Sequence, residues 1–268
     1  MALQDMVTVW QRSTTAELCW VAPDGPTGIP VVPLVWGEFP CAALPLAHLD
    51  AVDGMSGRRV VFSAGGGAGA GTTSAVLGSG PVEVRYDLAG EQFTRDLLAQ
   101  EVAKHPPTRL RADSLMARRE HWWWVARVLV ILTRLDSRNE VRPWRPAEDA
   151  LLVRPGNREP RVDVVTAPGW GAAGRSEELW RRDGLPLAGN HEQAFAFGHR
   201  HSPDFERWER WYRAGSLSQE TLTVAEAAGN PGEQPQPFGF LGRIRNHWRV
   251  SRACRTGVAR AEARGAPP

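Results

Sequence analysis

Arg118, Arg119, Glu120 and His121 lead directly into Trp122, Trp123 and Trp124, and then into an apolar run from Val125 to Leu132. An imidazole titrates near neutrality and can supply a proton or a hydrogen bond. An indole beside it offers a flat face on which a ring can stack. On a strand, Trp122 and Trp124 point one way and Trp123 the other, so at most one face of the three flanks a ligand beside His121. Burial in a core or against a second copy accounts for the same tryptophans without any ligand, and His121 is then a hydrogen-bonded structural residue.

His199-Arg200-His201-Ser202-Pro203-Asp204 is the second cluster with possible chemistry. Two histidines and an aspartate are part of a metal set, but no third spaced ligand accompanies them. Capping of a following helix by Ser202 and Asp204 is the plainer account. Gly65-Gly66-Gly67-Ala68-Gly69-Ala70-Gly71 has the look of a phosphate loop. The strand-like Thr72 to Leu77 follows it, and the Walker lysine is missing, so it reads as a hairpin loop. No Gly-x-Ser-x-Gly elbow or His-Glu-x-x-His motif is present, and hydrolase readings have no anchor.

The 268 residues carry 42% hydrophobic side chains, enough for a real core, and a formal charge of +2. That charge is too small to mark the chain as a nucleic-acid or membrane binder as a whole. Lys104 is the single lysine, and with abundant Ala, Gly and Pro the arginine bias fits a GC-rich, actinobacterial genome. Cys19, Cys41 and Cys254 form no Cys-x-x-Cys pair, which argues against a disulfide framework or zinc knuckle. Without a signal-like start or an apolar run of about 18 residues, the expected setting is soluble and cytoplasmic.

The periodicities predict strands over 15–21 and 29–36, joined by the turn Pro23-Asp24-Gly25-Pro26, then strands over 58–64 and 75–86 with Gly78-Ser79-Gly80 inside the latter. Glu91 to Lys104 spaces Phe93, Leu97, Leu98 and Val102 as an amphipathic helix. Trp122 to Leu135 is the longest expected strand. From Pro143 prolines punctuate the chain, with one strand at 161–166 and a helical turn at 176–182. Helices are expected over 203–214, where Phe205, Trp208, Trp211 and Tyr212 share a face, and over 218–228, with Ser218 as N-cap and Gly229 as stop. Leu241 to Arg264 reads as a basic helix turning Ile244, Trp248 and Val250 or Ser251 toward a partner; it is a solvated arm or a dimer contact before it is a nucleic-acid surface. The expected division is 1–142 as a barrel, 143–202 as a Pro-rich connection and 203–268 as a helical extension.

The opening pair Ala16 to Gly25 and Ile29 to Trp36, then Gly57-Arg58-Arg59-Val60-Val61-Phe62-Ser63, Gly80-Pro81-Val82-Glu83-Val84, a helix and a closing strand, resembles the pyridoxamine 5′-phosphate oxidase-like split-barrel family. The resemblance covers the first half of the chain and rests on order and spacing. It implies an antiparallel split β-barrel, mainly β with α, that acts as a homodimeric flavin-type oxidoreductase on a small-molecule substrate. FMN would be held by Arg58, Arg59 and Ser63 at its phosphate, since a guanidinium pairs with phosphate oxygens two at a time, and by Trp122 or Trp124 at its ring. His121 would act as the catalytic group. Asp50 and Asp53 stand where relatives place basic residues. Other members of the superfamily bind haem or the deazaflavin F420, and for haem the axial candidates are His121, His199 and His201. A cofactor-free binding or regulatory protein is the remaining alternative.

Overall fold

A computed structural model describes residues 2–53, 55–65, 75–115, 123–144 and 148–265. The expectations placed on His121, Trp122, the Arg118-Arg119 pair and most of the Gly65–Gly71 loop lie outside the described residues.

The first half of the chain forms a split antiparallel barrel. After α1 (Ala2–Arg12) come β1 (Ala16–Ala22), β2 (Gly25–Val31), β3 (Leu34–Trp36) and β4 (Phe39–Pro45). A tight turn at Leu46–His48 and the short α2 (Leu49–Val52) lead to β5 (Arg59–Ala64) and the long β6 (Ala75–Asp87). β7 (Arg127–Leu132) and β8 (Ser137–Val141) complete it, in the order β2-β1-β5-β6-β7-β4-β3 with β8 added to β6. The split lies within β6. Val76 to Pro81 pair with β5, whereas Val82 to Asp87 pair with β7. Alternation along β1, β5 and β6 sends Leu18, Trp20, Val60, Phe62 and Val76 into the barrel and turns Cys19, Val61 and Leu77 outward, as a period of two requires. Trp10 of α1 plugs the interior, its indole N–H donating to the Leu34 carbonyl at 2.7 Å.

The helix expected over 91–104 is present, with a widened turn over Phe93–Leu97 before α3 (Leu98–Lys104); α4 (Pro106–Leu115) follows. Trp123 and Trp124 differ from expectation. They lie in a tight turn before β7, not on the strand, so their faces do not alternate. Trp124 is buried edge-on against Phe93.

The second half is largely a second sheet, and here the helices expected over 203–214 and 218–228 are strands. β9 (Asp149–Arg154), β10 (Arg161–Thr166), β11 (Ser176–Glu178), β12 (Trp180–Arg181), β13 (Gly189–His201), β14 (Trp208–Gln219) and β15 (Thr221–Ala228) pair as β11-β15-β14-β13-β9-β10-β12. The helical turn expected at 176–182 is likewise β11 and β12. Trp211 and Tyr212 belong to opposite faces, in different clusters. The aromatic spacing reflects β-propensity and partner strands, which override a helical pattern. Leu151, Val153, Phe195 and Phe197 of this sheet pack on Cys19, Val61 and Leu77 of the barrel, so the two halves share one core. Gly28 permits the approach, since a Cβ there would lie 2.3 Å from the Phe197 ring. The C-terminal helix α5 (Phe240–Ala263) then crosses back onto the barrel at Leu46. Among the described residues no helix is long and apolar enough to cross a membrane.

Candidate functional site

Where the turn after β4, the start of α4, the 202–208 turn and the first half of α5 converge, two adjoining cavities share His48 and Trp208. One, of about 530 Å³, is lined by His105, Arg111, Phe205, Arg207 and Arg243 among others. The other, of about 670 Å³, adds Trp20, Ile29, Arg210 and the carboxylates Asp24, Asp50 and Asp53. Both fall within the size range of small-molecule sites.

His105 sits in the break between α3 and α4, where Pro106 and Pro107 follow it. Its Nδ1 is 2.8 Å from the Thr108 hydroxyl, which donates its own proton to Glu101 at 2.6 Å. A hydroxyl has one proton to give, so Nδ1 carries the imidazole hydrogen and Nε2 keeps a bare lone pair. Burial first, then the charges of Arg111, Arg127 and His201, hold the ring down to about 4.

His201 has the same tautomer for a different reason. Its Nδ1 lies 3.0 Å from the Ser202 carbonyl, which can only accept, and Nε2 is again bare. Burial and the neighbouring His199 lower its pKa, against the opposing Ser202 bond. His48 is lowered by burial and by Arg210. His105 is thus neutral at physiological pH, and the values of His201 and His48 move in the same direction.

Phe205 stands between two of them, with His201 stacked at 3.6 Å and His105 edge-on at 5.8 Å. Its φ of 59° is left-handed, a conformation that costs a bulky residue about 1–3 kcal/mol and persists only when its surroundings impose it. Here Ser202 imposes it. The Ser202 N–H donates to the Arg207 carbonyl at 2.8 Å, and the Phe205 N–H to the Ser202 carbonyl at 2.9 Å.

His199 is engaged at both nitrogens. The Trp208 indole N–H donates to Nδ1 at 2.9 Å, and Nε2 donates to the buried Glu17 carboxylate at 2.7 Å. Because an indole N–H only donates, His199 is locked as the Nε2–H tautomer and anchors Trp208 at the wall shared by both cavities.

The structure brings His199 and His201 beside this cleft, bonded to Trp208 and stacked on Phe205, and places Arg58, Arg59, Ser63 and Trp124 elsewhere; His121 and Trp122 lie outside the described residues. Arg59 is ion-paired with Asp136. Arg58 is exposed, 3.4 Å from the Val21 carbonyl. Ser63 is sealed inside, its hydroxyl without a partner. Trp124 is core. Ser202 and Asp204 bond each other in the turn at 2.5 Å and cap no helix. Among the described residues no cluster of three or more His, Cys, Asp or Glu is placed to hold a metal ion. Sequence reasoning missed His48 and His105; the helix-breaking Lys104-His105-Pro106-Pro107 was the available signal for the second.

The neutral His105 makes stability pH-dependent. The folded chain keeps the ring uncharged where the unfolded chain, with a value of 6.5, protonates it. Stability is therefore full above about pH 6.5 and falls toward pH 4, by roughly 3 kcal/mol for a shift of this size. Urea midpoints measured across that range should decline in the native protein and decline less in His105→Asn; parallel curves would remove His105 from the account.

No protein-family model matches this chain, and no curated protein matches it significantly. Among solved structures it is similar to the conserved hypothetical protein Rv2991 from Mycobacterium tuberculosis, at 17% identity and a TM-score of 0.36 over 52% of this chain and 82% of that one. It is similar to a NimC/NimA family protein from Clostridium acetobutylicum, at 10% identity and 0.33 over 53% and 94%. A heme binding protein from Mycobacterium smegmatis aligns at 12% identity and 0.33 over 94% and 98%. Likeness at this level assigns no ligand, and the strand order is what identifies the chain as an antiparallel split β-barrel carrying a C-terminal helix.

Proposed function

We propose that this protein binds haem in the cleft around Phe205, where the Nε2 of His105 would hold the iron. The bare Nε2 of His105, fixed in that form by Thr108 and Glu101, carries the reading. Haem needs a neutral imidazole nitrogen, and an outer partner that sets the tautomer strengthens such a ligand. Phe205 and Trp208 supply aromatic walls, and Arg207 and Arg243, paired here with Glu209 and Glu206, would exchange those partners for propionate groups. Bound haem would contribute redox and oxygen chemistry; the chain would orient it and limit its access to water. The adjoining cavity, walled by Trp20 and Trp208, would then receive a small-molecule substrate. The Trp208 indole at the shared wall favours a second reading, a flavin stacked on it in an oxidoreductase.

Titration of the purified protein with haem, followed by absorption, tests the proposal. A saturable, shifted Soret band is expected, with affinity weakened roughly tenfold or more by Thr108→Val, which removes the hydroxyl that orients the His105 ring, and lost in His105→Ala. A flavin spectrum instead would favour the second reading. Uptake of neither group would overturn both.

A further inference from the structure

Seven large apolar side chains are exposed among the described residues, and four of them stand on the first three turns of α5: Phe240, Leu241, Ile244 and Trp248, at 78, 65, 41 and 70% exposure. Their spacing of i, i+1, i+4 and i+8 puts them on one side of the helix. Ser251, Cys254, Gly257 and Ala261, later in the same helix, hold it to the barrel. In helical projection the stripe adjoins that packing face, Ser251 falling between Phe240 and Ile244, yet at the N-terminal end of α5 it stays exposed.

Along its flank run Arg245, Arg249 and Arg252, all exposed. Arg249 is bonded to Asn246, and neither Arg245 nor Arg252 meets an acidic group among the described residues. From Phe240 to Arg255 the helix contains no acidic residue at all. Trp248, Arg249 and Arg252 also edge a groove of about 700 Å³ floored by Leu46 and Leu49.

We infer that the N-terminal half of α5 is a peripheral docking surface for an anionic lipid bilayer. A helix with Phe, Leu, Ile and Trp on one side and unpaired arginines beside them lies in the interface plane, apolar groups in the acyl boundary and cations among headgroup phosphates. Arginine stems can lie along the apolar layer while their heads reach the phosphates. A second copy is the poorer occupant, because a two-fold contact through this face sets the same arginine row against itself. A protein partner is poorer too, since the centre of a protein interface is depleted of charge and here the cations border the stripe throughout. The contact is a surface association, distinct from spanning a membrane; it borders the cleft through Arg249 but does not depend on what the cleft binds.

Flotation of the full chain with phosphatidylcholine vesicles, with and without phosphatidylglycerol, tests it. Binding is expected only to the anionic vesicles and is reversed by high salt. The exposed pair R245Q/R252Q should lower partitioning about thirtyfold, and L241E/I244E should abolish it, both at unchanged circular dichroism and thermal midpoint. Equal binding to neutral vesicles, or none to anionic ones, overturns the inference. So does a dimer that dissociates in L241E/I244E, which would make the stripe a contact between copies.

Discussion

Replacing Arg127 by alanine should destabilise the protein by roughly 3–5 kcal/mol, the usual cost of leaving one member of a buried ion pair behind. Its side chain is 1% exposed, 3.5 Å from Glu101. The guanidinium lies over the Phe93 ring at 4.1 Å and the Trp124 ring at 4.9 Å, and bonds the Trp124 and Ala126 carbonyls. Burial depresses the Arg127 pKa, opposed by Glu101, so the pair is held together by geometry against its own desolvation. Truncation strands the Glu101 carboxylate in the core and opens a void under two aromatic rings. For a chain of this size the thermal midpoint should fall by roughly 10 °C. The double substitution R127M/E101M should recover much of the loss, because removing both charges is far cheaper than removing one. A single variant as stable as the parent in urea would show that the pair contributes nothing. Glu101 also positions Thr108 and through it His105, so the same substitution should weaken any ligand that His105 holds.

Gly257 is the second sensitive position. At an exposed helical site Gly→Ala stabilises by about 1 kcal/mol. Here a Cβ would lie 2.1 Å from the Leu46 carbonyl oxygen and 2.7 Å from its carbon, backbone atoms that cannot swing aside. Gly257→Ala should therefore destabilise, and Gly257→Val should lift α5 from the barrel at a cost of roughly 2–3 kcal/mol, typical of overpacking. Amide exchange along Ser251–Ala261 reads the outcome directly: faster exchange confined to α5 is expected, and unchanged protection would mean the contact is not tight. Arg260 and Arg264, paired with Asp50 and Asp53, are too exposed to hold the helix alone.

The barrel was legible because its strands carry local signals. The Asp24-Gly25 turn, the apolar run into Phe62 and the glycines of β6 each have a mechanism that does not depend on the rest of the chain. The second sheet was not, because the misleading signals were strong. Phe205, Trp208, Trp211 and Tyr212 fit a helical face, and Ser218 with Gly229 resembled a capped helix. Yet Thr221-Leu222-Thr223-Val224 alternates exposed and buried, a period of two rich in β-branched residues that points to a strand. In the cleft, His199 and His201 were visible as a pair. Their roles were not, because the tautomers depend on Glu17, Trp208 and the Ser202 carbonyl. Glu17 is 182 positions from His199, a contact that no local pattern encodes.

The shared core has a consequence for how the chain is made. The barrel strands leave the ribosome before β9 and β13 exist, so Cys19, Val61 and Leu77 emerge as an uncovered apolar sheet face with Glu17 in their midst. Domains synthesised first tend to fold first, and exposed apolar sheet surface invites association with other nascent chains. The seam between the two halves is therefore the point at which biosynthesis is most exposed to error, and a chaperone that holds this one face until Phe197 arrives would protect the whole molecule.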